Sequence, residues 1–396
     1  MSEPLLPMTP QQPEQQPGRR VRVLQIVENL NNQAVESWLL KVLRISRENH
    51  PHLDWTFFCV IGRPGKMDEE ARKMGARIIH SPHSIGQKRA FLLALRQKLR
   101  QERPDVLHCH HDIMSALPLL ASAGLPLRRR IVHLHNTSMS LPTSNPLKAV
   151  LMREPFRQVC LRADRIVGVS QDALNSMLGA SKPQKSRDQV IHCGIETHRF
   201  AADEVKDREL RHSFGFDANA RILLFVGRMI AYKNPLFVVE MLHHLRQVDA
   251  RFVAVFAGTG ALEKEVRELA QRRGLQDQIK VLGWRDDVPR LMQACDVLIW
   301  PGIEEPKEGL GLGTVEAQAA GLPVLMSRNV PAEAVVIPEL VTILPLSTGA
   351  QAWAGAVIEL LNRVRPTKDE ALAKVQASSF DIAHSADEIA ALYSQL

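Results

Sequence analysis

Short β-branched and apolar runs alternate with helix-period stretches from one end of this chain to the other, and that alternation restricts the fold more than any other feature. It is the pattern of parallel sheets covered by helices. The runs come in two series. The first is VRVLQIV (21–27), DWTFFCVIG (54–62), ARIIHS (76–81), DVLHCH (105–110), RIVHLH (130–135), DRIVGVS (164–170) and QVIHCG (189–194). The second is RILLFVGR (221–228), RFVAVFAG (251–258), IKVLGW (279–284), DVLIWPG (296–302), PVLMS (323–327) and VTILPL (341–346). Between them IETHRFAADEVKDRELRHSFGFDANA is polar and carries no strand signal, which marks the boundary between two units.

The chain has 396 residues, too many for one ordinary core and suited to two domains. We therefore expect a Pro- and Gln-rich leader at 1–19, Rossmann-like doubly wound domains at 20–200 and 215–370, and a helical end at 371–396 that packs back on the first domain. Ligands are then expected at the carboxyl ends of the strands, in the cleft between the domains. With 45% hydrophobic and 23% charged residues the composition is that of an ordinary globular protein. No apolar run approaches the roughly 18–20 residues of a membrane span, and the leader lacks the apolar centre of a signal peptide. A cytoplasmic protein is expected. Five scattered cysteines, none in a C-x-x-C pair, speak against a disulfide framework and a zinc site. The net charge of +7 suits nucleic acid, phosphorylated substrates or an acidic membrane equally, and so selects none of them.

Three stretches offer chemistry. In FVGRMIAYKNP a strand ends at Gly227 and delivers Arg228 and Lys233, a fork and a point charge that suit a diphosphate. The alternative is a solvated basic loop. In WRDDVPRLMQACDVLIWPG, Asp286 or Asp287 is expected to cap the following helix. The absence of D-x-D spacing there predicts no protein-bound metal. In KEGLGLGTVEAQAAGLPV, Glu308 and Glu316 flank a glycine-rich bend between a strand and a helix, with Glu316 expected in the first helical turn. Amides at such a bend favour anions, and carboxylates accept bonds from vicinal hydroxyls. The alternative is an acid that only complements the helix dipole.

In this order, GRMIAYKNP, FAGTG, VLGWRDDV, DVLIWPG and the paired acids with EAQAAGLPV resemble the retaining nucleotide-sugar glycosyltransferases of family 4, which have the GT-B fold. Within that family the chain is similar to bacterial exopolysaccharide and capsule members. RPDVLHCHHDIMSALPLLASAG, RIVHLHNTSMS and RADRIVGVSQDALNSML extend the resemblance over most of residues 21–365. It implies that Arg228 and Lys233 hold a donor diphosphate. It further implies that Glu316 binds the nucleotide ribose, and that Glu308 contacts the donor sugar near the reaction centre. The amides of Gly309, Leu310, Gly311 and Leu312 would contact sugar and phosphates, and His135 would reach the donor sugar from across the cleft. Our reading places His133 on the opposite face of its strand and counts His110 and Asn32 as further cleft candidates. The implied partners are a nucleotide sugar, UDP-linked, and a glycan or polyprenyl-linked acceptor, with no nucleic acid and no cofactor. The helix in GQKRAFLLALRQKLRQERP has Leu92, Leu95 and Leu99 on one face with Lys88, Arg96, Lys98, Arg100 and Arg103 around it. It either lies on an anionic inner membrane face or packs on the first sheet.

Two departures from the family pattern stand out. Asn31, Asn32 and Gln33 occupy positions where glycines are expected, which keeps open a catalytically silent sugar-nucleotide-binding or scaffold protein. Cys193 and Glu196 stand where an asparagine and an aspartate are expected. A GT-B isomerase or phosphorylase fits the acid and cation pairs less well, and a nicotinamide enzyme would need a G-x-G-x-x-G turn that VENLNNQ lacks.

Overall fold

The computed structural model describes residues 20–31, 33–137, 146–179 and 185–394. The leader expected at 1–19 lies outside them. All thirteen expected strands are present, with ends trimmed by one to a few residues. The first sheet contains β1 (Val21–Val27), β2 (Leu53–Cys59), β3 (Arg77–His80), β4 (Val106–Cys109), β5 (Arg129–Leu134), β6 (Arg165–Gly168) and β7 (Asp188–Val190), in the order β3-β2-β1-β4-β5-β6-β7. The second contains β8 (Arg221–Val226), β9 (Phe252–Ala257), β10 (Ile279–Gly283), β11 (Val297–Trp300), β12 (Val324–Met326) and β13 (Val341–Ile343), in the order β10-β9-β8-β11-β12-β13. Neighbouring strands run parallel throughout both sheets. This pair of doubly wound sheets is the GT-B fold.

Helices cover both faces, so the central strands read as continuous apolar runs. Val23 to Val27 of β1 and Phe252 to Ala257 of β9 are buried along their whole length. In each sheet the order reverses beside the first strand, between β1 and β4 and between β8 and β11. The carboxyl ends of these strands open a crevice where the backbone amides are not consumed by a neighbour. Residues 28–31, His110, Arg228 and the segment after Trp300 all leave the sheets there.

The polar segment between the two series holds a helix, Glu204–Ser213. At the far end of the chain the helix Ile382–Ser394 crosses to the first sheet and packs on β1 and on the helix Ala34–Asn49. Trp38 Nε1 donates to Ser385 Oγ at 3.1 Å, and Trp38 and Tyr393 are buried, each such side chain contributing roughly 1.5–3 kcal/mol or more by leaving water. Cys59, Cys109, Cys193 and Cys295 are free thiols buried in the cores.

One local expectation is corrected, and the packing of the helix Lys88–Glu102 on the first sheet is found. Asp287 stands at the N-cap of Val288–Ala294 but makes no capping bond with its side chain. Its carboxylate pairs instead with Arg285, at 2.7 and 2.5 Å, a bidentate charge-assisted contact that outcompetes a single amide. The helix Lys88–Glu102 buries Phe91, Leu95 and Leu99 against the first sheet, with Leu92 only half-buried, and Arg96 is turned inward onto the carbonyls of Ala121 and Ala123. Among the described residues no helix is long and apolar enough to cross a membrane.

Candidate functional site

The strand ends of the two sheets meet around a hollow of about 400 Å³. Its second-domain wall carries Arg228, Lys233 and Glu308, followed by Gly309, Leu310, Gly311 and Leu312. Arg228, two residues past the end of β8, is exposed at the rim and makes no ion pair with any described residue. Lys233 points inward. Its Nζ lies 2.6 Å from Glu308 Oε1 and 4.4 Å from the centre of the Trp300 ring. Trp300 Nε1 donates to the same oxygen at 2.9 Å and Asn329 Nδ2 at 3.4 Å. Glu308 is thus buried but held by three donors, so its charge is compensated as a buried carboxylate requires. Tyr232, beside it, has its phenol pushed up by burial and by the charge of Glu308.

The bend after Glu308 exists because glycine occupies two positions. A Cβ on Gly309 would lie 1.9 Å from the carbonyl oxygen of His135, so only glycine lets the loop touch the first domain. Gly311 has φ +76° and opens the helix Leu312–Ala319, where a side chain would meet Val330. Ser170 fastens the approach. It accepts from Ala173 N as a helix cap and donates to Gly309 O at 2.6 Å. Lys307 Nζ reaches Asp172 at 2.8 Å, and Gln171 N donates to Glu333 at 2.6 Å. Thr137 Oγ1 donates to Lys307 O.

The first-domain wall is neutral by contrast. His135 lines the hollow at the end of β5. Its backbone N–H is held at 2.8 Å by Asp112, whose second oxygen accepts from Asn136 at 2.7 Å. Burial raises the Asp112 carboxyl above the usual carboxylate range. Behind His135 lies a bed of imidazoles. The His133 ring stacks on His135 at 4.5 Å, on the same face of β5, which corrects the expectation that it turns away. Residues two apart on a strand share a face. His108 and His110 of the neighbouring strand end lie alongside, with ring centres 4.2 Å apart. Burial lowers all of them: His108 and His135 to about 3, His111 to about 4, and His110 and His133 well below the ordinary value. Ring nitrogens of His108, His110 and His133 come within 4.8 Å of one another. Both nitrogens of His110 are already engaged, by Gln25 at 2.9 Å and His135 at 3.0 Å, so this trio cannot close on a metal without breaking those bonds.

Glu316 is not among the residues lining the hollow. It falls in the second turn of its helix rather than the first, half-buried, four residues beyond Leu312 and hence on the same face one turn along. Burial raises its carboxyl, and Lys41 and Arg199 across the cleft pull it back. Those two cations also pair with Glu196, at 3.5 Å each. Asn32 lies outside the described residues, while Ala34 and Val35 reach the hollow from the first turn of the helix that follows it. Trp300, Asn329, Tyr232, Asp112 and Cys193 were not singled out as site residues. Trp300 and Asn329 act through contacts with Glu308 that no spacing reveals. Cys193, the departure already noted, proves to line the hollow.

Two family models match the chain, Glycosyltransferase Family 4 over residues 15–199 and Glycosyl transferases group 1 over residues 206–374. EpsF of Bacillus subtilis, which its name places among the glycosyltransferases, is 29% identical over 354 residues, 88% of this chain and 90% of that one. The Escherichia coli UDP-Gal:alpha-D-GlcNAc-diphosphoundecaprenol alpha-1,3-galactosyltransferase is 27% identical over 246 residues, 60% of this chain and 61% of its own. Among solved structures, Anabaena HepE in complex with UDP superposes with a TM-score of 0.77 at 19% identity, and in complex with UDP-glucose with 0.73 at 18%. Both cover 95% of this chain and 100% of that one, a likeness of fold.

Proposed function

Because the chain belongs to glycosyltransferase family 4, we propose that it moves a hexose from a UDP-linked donor onto a glycan or polyprenyl-linked sugar, with retention of anomeric configuration. The observation that carries this reading is the convergence of Arg228, Lys233, Glu308 and the Gly309–Leu312 amides on one hollow facing His135. Cleavage of the bond between the anomeric carbon and the phosphate builds negative charge on the leaving diphosphate. Arg228, Lys233 and the amides at the start of Leu312–Ala319 are placed to stabilise it. The incoming phosphate takes Lys233 from Glu308, whose carboxylate stays anchored by Trp300 and Asn329 and turns to the sugar hydroxyls. Glu316, one turn further on, would take the ribose. The acceptor hydroxyl enters from the first domain and attacks the face that the diphosphate leaves, its proton passing to the departing diphosphate oxygen. No protein-bound metal is required by this arrangement, since the cations named here supply the charge.

A place at the inner membrane face suits a lipid-linked acceptor, and the helix Lys88–Glu102 leaves Leu93 71% exposed beside Lys88, Arg89 and Arg100. Charge reversal of Lys88 and Arg100 should release the protein from anionic liposomes in a flotation assay; unchanged flotation removes the membrane contact. Acceptor-dependent consumption of UDP-hexoses tests the main proposal. A catalytically silent protein would bind the nucleotide sugar and turn nothing over with any acceptor of the polyprenyl-diphosphate class.

A further inference from the structure

We infer that Gln25 and Tyr393 are positioning residues for His135, fixing which of its ring nitrogens carries the proton through a hydrogen-bond chain that starts in the last helix of the protein. Gln25 is a polar side chain in the middle of β1 with no exposure, and Tyr393 is equally buried in Ile382–Ser394. The two lie 368 positions apart in sequence, and Gln25 Nε2 donates to Tyr393 Oη at 2.7 Å. That hydroxyl, having accepted from the amide, has its own proton free for His108 Nδ1 at 2.7 Å.

The rest follows by donor and acceptor accounting. With its nitrogen committed to Tyr393, Gln25 presents Oε1 to His110 Nε2 at 2.9 Å. An amide oxygen only accepts, so His110 carries its hydrogen on Nε2. A buried His110 is neutral, its basicity suppressed by burial, and its Nδ1 therefore holds a lone pair. That lone pair lies 3.0 Å from His135 Nε2, which must supply the hydrogen. His135 is neutral as well, and its remaining nitrogen, Nδ1, is left as an acceptor. Trp38 encloses the chain, its ring meeting His110, His133 and His135 edge-on at 6.4, 5.4 and 6.2 Å. The same helix that carries Trp38 is tied to the last helix through Ser385.

The consequence is a statement about recognition. His135 meets the hollow as a neutral acceptor for a hydroxyl hydrogen and is unsuited to act as an acid at neutral pH. This rests on the proposed sugar site for the identity of the hydroxyl, but the tautomer itself does not. Removing the Tyr393 hydroxyl frees the Gln25 amide to rotate, which exchanges donor for acceptor and reverses every bond along the chain.

The test is nitrogen NMR on the full chain labelled with ¹⁵N-histidine, with the His135 signals identified by their loss in His135→Gln. The parent protein at pH 7 should show His135 protonated on Nε2 and bare on Nδ1. Tyr393→Phe, which keeps the ring and its packing, should shift these signals toward a mixture of tautomers. Turnover of a UDP-hexose should then fall about fivefold in kcat, with KM for the donor changing less. Protonation on Nδ1, or an ionised ring, in the parent protein overturns the inference without any variant having to fold. A folded Tyr393→Phe with unaltered His135 signals overturns it as well. Should no transfer be found with any donor, the NMR result still decides the chain, and the failure falls on the proposed function alone.

Discussion

The two walls of the hollow descend from the same architecture and solve opposite electrostatic problems. The second domain brings charge: Lys233 and Glu308 hold each other inside the protein, and Trp300 and Asn329 donate to the same carboxylate oxygen. The first domain brings neutrality: burial lowers its cleft histidines until none carries a second ring proton at pH 7. The difference teaches where a diphosphate can go. An anion finds partners on one side only, and the other side is left to uncharged hydroxyls.

The largest effect should come from the charged wall. Arg228→Ala removes an exposed cation that pairs with no described residue, so the melting temperature should hold while transfer from a UDP-hexose falls by something like 10² to 10³ in kcat/KM. A loss below tenfold would mean that Arg228 does not meet the leaving group. Next is the seam between the walls. Gly309→Ala places a methyl where the His135 carbonyl already stands, and transfer should fall more than tenfold as the walls part, visible as a larger radius in small-angle scattering.

The neutral wall should declare itself in pH dependence. An unfolded histidine takes up its proton near 6.5, whereas these buried rings do not until far lower, so the unfolded state binds more protons between the two values. Stability is complete above about pH 6.5 and is lost as pH falls, by up to about 1.4 kcal/mol per pH unit for each ring. Glu36, raised by burial to about 7, acts in the opposite sense, losing stability as pH rises through 4.5 to 7. Among the described residues the His133 ring has no side-chain hydrogen-bond partner, and its polar neighbour is the backbone of Ile191. His133→Phe should therefore leave stability at pH 7 within about 1 kcal/mol and flatten the fall below pH 6.5 in urea unfolding. A parent slope of zero or of reversed sign between pH 6.5 and 4.5 would contradict the neutral wall. The smallest effect is expected of Trp300→Phe, which deletes one bond to Glu308 and should cost about 1 kcal/mol of transition-state stabilisation, near fivefold in transfer.

Both sheets were legible in the sequence because parallel strands buried on two faces write themselves as unbroken apolar runs, and every one of the thirteen could be found that way. The charged wall was legible for a related reason: Arg228, Lys233 and Glu308 lie two, seven and eight residues past strand ends, in the loops that a doubly wound sheet sends to its ligand crevice. The neutral wall was legible only in part: His135 follows from the family resemblance and His110 from its place at a strand end, but what links them does not. His110, His135, Gln25 and Tyr393 meet through cross-strand register and through a helix that returns from the end of the chain, and neither has a local signature. His133 was assigned to the wrong face through a miscount of the strand period. Glu316 was expected in the first helical turn, but it lies in the second, outside the hollow that Arg228 and Lys233 line.

Calorimetric titration of UDP and of a UDP-hexose into the parent chain, Arg228→Ala and His135→Ala tests most directly that both walls serve one donor. The expected result is that Arg228→Ala weakens both ligands, while His135→Ala leaves UDP unchanged and weakens the UDP-hexose alone. If His135→Ala leaves the ratio of the two affinities untouched, the neutral wall takes no part in holding the sugar and the two halves of the hollow do not share a ligand.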